Sequence, residues 1–352
     1  MAEQNTPACD PIDAALLDQI QQAIPLVRRP FGELGRRVAV SEDEVIARLR
    51  AMRGERKLIR QVSAIFDTHA LGYGSGLVAG RYSGEKLDDA AAVISGHPGV
   101  SHCYQRDAMY NLWYTVAVPP NSTLGYQGTI DRLHELSGAA CTRAMPTLKL
   151  YKIGVRLNVT GDQPAQDEDS GGAAFTDKDR AVSVQHGLTE ADIAMVRVLQ
   201  QDMPIVAEPW AVWADQAGCT VAELLEACER FGRRRQMRRF AAVLHHREAG
   251  FKANVMGVWK APDDQADRYG QMLAAFQAVS HCYLRPSYDD WPYNLYTMVH
   301  ARSRQEAIAI LDTMARQTGL ENRLALWSVK EYKKVRVVYF DDATAKWESQ
   351  YG

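Results

Sequence analysis

The 352-residue sequence has little net charge, few cysteines and no long apolar run, and each shortage excludes something. A formal net charge of -2 argues against wholesale electrostatic attraction to nucleic acid or to an anionic membrane. The six cysteines, Cys9, Cys103, Cys141, Cys219, Cys228 and Cys282, form no CxxC pair and no finger-type spacing, so neither a disulfide framework nor a zinc ribbon is indicated. Reduced thiols in a cytoplasmic protein are the plain reading. No apolar run approaches the ~18 residues that span a bilayer, and residues 1–11 are polar with no apolar signal core. Neither secretion nor membrane insertion is expected.

What is there, in a length suited to about two to four domains, is a duplication. Val279-Ser280-His281-Cys282-Tyr283-Leu284-Arg285 leads into Trp291-Pro292-Tyr293-Asn294-Leu295-Tyr296-Thr297-Met298-Val299-His300. Val100-Ser101-His102-Cys103-Tyr104-Gln105-Arg106 leads likewise into Tyr110-Asn111-Leu112-Trp113. Pro204 and Pro209 repeat the spacing of Pro25 and Pro30, and Trp210 takes the place of Phe31. Thr220 to Glu223 repeats the position of Ser41-Glu42-Asp43-Glu44, which reads as a helix-capping box. Residues 160–187 are polar, acidic and glycine-rich, the composition of a mobile tether.

Within each copy the periodicity changes once. Leu16, Leu17, Ile20 and Ile24, then Val45, Ile46 and Leu49, recur at helical spacing, and three helices with a turn before the third make a helix-turn-helix unit. After it come an alternating strand (253–259 in the second copy), a helix, the His-Cys-Tyr strand, the Tyr-Asn-Leu strand, a second helix and a closing strand rich in Lys and Val. Strand-helix-strand-strand-helix-strand is the split βαβ of a ferredoxin-like domain. The expected fold is therefore α+β. A winged-helix unit spans 13–60, a ferredoxin-like unit 61–159, a linker 160–187, a second winged-helix unit 188–238 and a second ferredoxin-like unit 239–345.

In architecture this resembles the Lrp/AsnC transcription regulators. More specifically, His245-His246-Arg247-Glu248-Ala249-Gly250-Phe251 with Ala253-Asn254-Val255-Met256, and the two second-copy stretches quoted above, resemble the siroheme decarboxylases over nearly the whole chain. Two homologous subunits cooperate in that family, and a fused form is typical of its haem d1 branch. The resemblance implies removal of carbon dioxide from the C12 and C18 acetate side chains of siroheme, giving 12,18-didecarboxysiroheme. It implies no organic cofactor and no metal of the protein's own, because the iron arrives with the substrate. Its partners would be siroheme and related iron tetrapyrroles, with an internal pseudo-dimer, no membrane and no DNA; homo-oligomers or association with homologous subunits stay open.

Such a reaction needs a proton donor for the new methyl group, and histidine titrates near working pH. Strand alternation puts His281, Tyr283 and Arg285 on one face, and His102 and Arg106 duplicate it, which marks that face as a shared substrate-binding surface in both copies. His246 and His300 have no such twins, since Thr68 and Ala117 stand at their places in the first copy. The main pocket is expected in the second ferredoxin-like unit, around His246, His281 and His300. His246 and His281 would divide the roles of proton donor and of substrate orienter or iron contact, in an order the sequence leaves open. Arg247, Arg285, Lys330, Lys333, Lys334 and Arg336 are candidates for the substrate's carboxylates, although the run from Lys330 to Arg336 reads equally as a charged strand end. Tyr283, Trp291, Tyr293 and Trp259 either stack on the macrocycle or fill the core.

A ligand-responsive or haem-responsive regulator is the alternative from another class. Arg233-Arg234-Arg235-Gln236-Met237-Arg238-Arg239 follows the recognition-helix position and suits phosphates. Glu223, Glu226 and Glu229 on that helix would repel them. A tetrapyrrole carrier without chemistry is a third reading.

Overall fold

The structure is a computed structural model that describes residues 10–153, 181–182, 186–244 and 253–352. The first copy contributes β1 (Ile59–Phe66), β2 (Gly74–Arg81), β3 (Val100–Arg106), β4 (Leu112–Val118), β5 (Cys141–Met145) and β6 (Lys149–Ile153). The second contributes β7 (Met237–Leu244), β8 (Ala253–Trp259), β9 (Val279–Leu284), β10 (Leu295–Ala301) and β11 (Arg323–Lys334). These elements fall into two compact units, and His246, Arg247 and most of the 160–187 stretch lie outside the described residues.

One unit holds the helices of both copies. Pro11–Gln22, Pro30–Val38 and Glu42–Gly54 are matched by Glu190–Leu199, Pro209–Ala217 and Val221–Arg233, and β1 pairs antiparallel with β7. Pro30 and Pro209 each start a helix, where a missing N–H costs nothing. Thr220 and Glu223 form the expected capping box. At Ser41 only half of it exists, because the hydroxyl accepts from the Glu44 N–H while the Glu44 carboxylate is taken by Arg48. The strands β1 and β7 belong to this helical unit, so residues 61–67 and 239–244 are not part of the ferredoxin-like sheet to which the sequence reading assigned them. Part of the arginine run ties the copies together: Arg238 pairs with Asp67 at 2.6 Å and Arg239 donates to the Gln21 carbonyl.

The other unit is one nine-stranded sheet in the order β5-β2-β4-β3-β11-β8-β10-β9-β6. Each half of it is a ferredoxin-like βαββαβ sheet. The halves join by an exchange of strand tails: β11 pairs with β8 through Trp327 and then with β3 from Ser328 onward, while the chain leaving β5 pairs as β6 with β9. β5 and β6 are opposite ends of the sheet yet only residues 146–148 separate them, a span of at most ~14 Å, so the sheet folds back on itself. Helices 87–96 and 125–137 cover one half and helices 266–274 and 304–318 the other, each over its own apolar core. A third cluster, with Tyr110, Trp113, Trp291 and Tyr296, fills the space between the two halves. Among the described residues no helix is long and apolar enough to cross a membrane.

Matching clamps hold the exchanged tails. Lys149 and Tyr151 bond Asp267, and Lys330 and Tyr332 bond Asp88. Lys152 donates to the Phe276 carbonyl, and Lys333 to the carbonyls of Ser95 and His97. Gly270 is required here, because a Cβ would come within 2.3 Å of the Tyr151 ring.

Candidate active site

The site is set by a one-residue slip. Along β9 the pairing passes from His281 opposite Met298 to Val279 opposite Val299, which leaves Ser280 as a bulge. Val279 and Cys282 face the helix-side core, whereas Tyr283 joins the layer between the half-sheets. The bulge brings the Ser280 hydroxyl beside His281: Oγ lies 2.8 Å from His281 Nδ1 and 2.6 Å from His300 Nε2. His300 Nδ1 in turn lies 2.6 Å from Asn254 Oδ1. Three adjacent strands, β8, β10 and β9, thus supply one polar chain, Asn254–His300–Ser280–His281.

A ladder continues from its end. His281 stacks on Tyr283 with centroids 6.1 Å apart and planes 24° from parallel. The Arg285 guanidinium lies 4.8 Å from the centre of the Tyr283 ring and 5.5 Å from that of Tyr296, and donates to the Met145 carbonyl. The flank is apolar, with Ile153 of β6 opposite His281 and Leu150 opposite Tyr283.

The first copy builds the same ladder in other surroundings. β3 bulges at Ser101, His102 stacks on Tyr104 at 6.2 Å and 25°, and Arg106 lies 5.6 Å from the Tyr104 ring centre and donates to the Leu326 carbonyl at 2.9 Å. Burial pulls the Arg106 guanidinium down to about 10. Ser101 Oγ meets His102 Nδ1 at 3.0 Å, but its other partner is Thr115 Oγ1 at 2.8 Å. Strand register puts Ala117 where the second copy has His300 and Ser75 where it has Asn254. The flanking tail here places Lys334 opposite His102 and Glu331 opposite Tyr104. Burial, and then the Glu331 carboxylate, drive the Tyr104 hydroxyl well above its ordinary pKa.

Of the residues singled out from sequence, the structure brings together His281, His300, Tyr283 and Arg285. Lys330 and Lys333 point to the first copy's helix 87–96, and β8 and β10 lie between their strand and β9. Lys334 and Arg336 are exposed at the end of that tail. Trp291 is 2% exposed, donates from Nε1 to Tyr296 Oη and packs on Tyr110 and Trp113, so it fills the inter-sheet core. Trp259 is likewise core. Tyr293 lines a separate cleft of about 410 Å³ with Asp107 and Asp290, whose carboxylates pair with Arg304 and Arg143. Ser280, Asn254, Leu150 and Ile153 escaped the sequence reading. Aligning Lys149 to Ile153 with Lys330 to Lys334 would have found the last two. Among the described residues no cluster of His, Cys, Asp and Glu fit to hold a metal ion occurs.

Residues 13–60 and 192–238 match the siroheme decarboxylase NirDL-like HTH domain family, and residues 70–152 and 248–333 match the AsnC-like ligand binding domain family. The siroheme decarboxylase of Hydrogenobacter thermophilus is 33% identical over 94% of this chain and 96% of its own length. The chain belongs to the siroheme decarboxylases. The crystal structure of the siroheme decarboxylase NirDL, also solved in co-complex with an iron-uroporphyrin III analogue, is similar with a TM-score of 0.78 at 28% identity, covering 97% of this chain and 98% of that one. The siroheme decarboxylase beta subunit of Desulfovibrio desulfuricans is 37% identical over 45% of this chain and 99% of its own length. That subunit therefore spans about half of this chain.

Proposed function

We propose that this chain removes carbon dioxide from the C12 and C18 acetate side chains of siroheme, giving 12,18-didecarboxysiroheme, in the cytoplasm and on the route to haem d1. The observation that carries the reading is the second ladder, where His281 and Tyr283 meet an apolar flank and His281 joins a polar chain ending at Asn254. A flat macrocycle suits Tyr283, Leu150 and Ile153, and the same positions in the first copy carry Glu331 and Lys334.

At each acetate the bond to the carboxylate breaks, carbon dioxide leaves, and its electron pair passes into the conjugated ring. One proton on the side-chain carbon completes the methyl group. His281 donates that proton, with His300 behind it. The macrocycle accepts the electrons, so no organic cofactor is required, and the iron is part of the substrate. His246 and Arg247, outside the described residues, enter on sequence grounds as a further proton-handling or orienting group and a carboxylate clamp. Arg285 holds the ladder by its bond to Met145 and its contact with Tyr283. Lys334, Arg336 and first-copy His102 form a second, non-reacting surface for the anionic periphery, while buried Arg106 holds the first ladder through its bond to Leu326 as Arg285 holds the second.

Anaerobic incubation with siroheme, read by mass spectrometry, tests this. Loss of two carbon dioxide units is expected. Unaltered siroheme in a folded, siroheme-binding sample overturns the reading in favour of a carrier, and salt-dependent binding of an operator sequence overturns it in favour of a regulator.

A further inference from the structure

We propose that Ser280 is a positioning residue through which His281 and His300 share a single proton, so that the proton delivered to the substrate is drawn from His300. This rests on the second ladder being the decarboxylation site. A serine hydroxyl has one proton and two lone pairs, so between two imidazoles it donates to one and accepts from the other. Ser280 Oγ is 2.8 Å from His281 Nδ1 and 2.6 Å from His300 Nε2, within hydrogen-bond range of both.

Asn254 fixes the direction. With its Oδ1 accepting at 2.6 Å, His300 keeps a proton on Nδ1, and any second proton sits on Nε2 facing Ser280. In the loaded state His300 is an imidazolium donating to Ser280, the Ser280 hydroxyl donates to His281 Nδ1, and His281 carries its proton on Nε2. When Nε2 gives that proton to the substrate carbon, Nδ1 takes the hydroxyl proton and the hydroxyl takes the Nε2 proton of His300. Both imidazoles end neutral. The pair loses one proton and one unit of positive charge, which the new C–H bond and the carbanionic carbon account for. Only N–H, O–H and C–H bonds change.

The Met298 carbonyl also lies 3.4 Å from Ser280 Oγ, farther than either imidazole nitrogen, so the two short contacts are to the histidines. His281 lies between Met298 and Ile153, its stacked Tyr283 is the adjacent titratable group, and Lys152 is turned to the Phe276 carbonyl on the other face. In the first copy Ser101 bonds Thr115, and Ala117 and Ser75 stand where the second copy has His300 and Asn254, so among the described residues that serine does not bridge two histidines.

The test compares Ser280→Ala, Ser280→Thr and Asn254→Asp with the unaltered chain, by siroheme titration in absorbance and by single-turnover decarboxylation across pH. Ser280→Ala is expected to lower the rate constant about 10²-fold with siroheme affinity within about two-fold, and Ser280→Thr to recover most of it by restoring the hydroxyl. Asn254→Asp keeps the side-chain size, holds the His300 proton more tightly and moves the pH–rate profile to higher pH. Wild-type rates in Ser280→Ala, a threonine variant no better than alanine, or an unshifted Asn254→Asp profile overturns the relay while leaving the decarboxylase reading intact. An unaltered chain that binds siroheme and releases no carbon dioxide overturns both.

Discussion

Two strand segments of identical sequence, Val100 to Tyr104 and Val279 to Tyr283, bulge at the same serine and stack the same histidine on the same tyrosine, yet they face different neighbours. One stands beside Glu331 and Lys334 with Thr115 closing its hydroxyl; the other stands beside Leu150 and Ile153 with a second histidine behind it. What both copies share is the framework: an arginine bonded to the other half's backbone, and a lysine-tyrosine pair gripping a helix aspartate. What they do not share comes mostly from adjoining strands. Duplication supplied the scaffold twice, and on the function proposed above the chemistry falls to the copy whose surroundings add a second histidine and an apolar flank.

The comparison breaks most readily at the histidines. His281→Ala is expected to cost about 10²- to 10⁴-fold in turnover, whereas His102→Ala keeps appreciable activity. Equal losses in steady-state assays would refute a single reacting site.

A second difference lies beneath the ladders. His97 is fully buried against Trp347 where the second copy has Phe276, and burial holds its pKa down at about 4. The unfolded chain protonates a histidine at ~6.5, so it binds more protons than the folded chain between about 4 and 6.5. Stability is therefore complete above ~6.5 and falls as pH drops through that window, by about 3 kcal/mol at its acid end. Denaturant unfolding of wild type and His97→Phe at several pH values should show this dependence in the difference between them, with the phenylalanine chain the less acid-sensitive.

The smallest expected effect sharpens the role of the flank. Leu150→Glu gives the second ladder the carboxylate of the first and should weaken siroheme binding about 10-fold, the order of one partly screened like-charge contact. Glu331→Leu should leave turnover near wild type. Absorbance titration reads the first and steady-state rates the second.

Much of this was legible in the sequence. The repeat, the change from helical to alternating periodicity and the shared face of His281, Tyr283 and Arg285 follow from local spacing, and the structure shows them. Arg285 and Arg106 were read as substrate clamps because a strand-face arginine signals an anion; their bonds to Met145 and Leu326 depend on how the half-sheets meet, which no local pattern encodes. Lys330 and Lys333 were read as carboxylate ligands or a charged strand end for the same reason; their bonds to Asp88 and to the Ser95 and His97 carbonyls come from the exchange of strand tails. Ser280 was hidden by the alternation rule itself, since a regular strand would send its side chain away from His281, and only the bulge overrides that.

The exchanged tails bear on folding as well as on the site. Taken alone, each ferredoxin-like sheet would present an open edge at β3 or β9, a row of unpaired backbone groups that invites pairing with any passing strand. β11 and β6 occupy those edges, so each half is the other's protection against aggregation. Neither edge is closed until residues far apart in the chain have met, contacts of the kind that form slowly. The covalent link between the halves turns that meeting into an intramolecular event, free of the concentration on which two separate subunits depend.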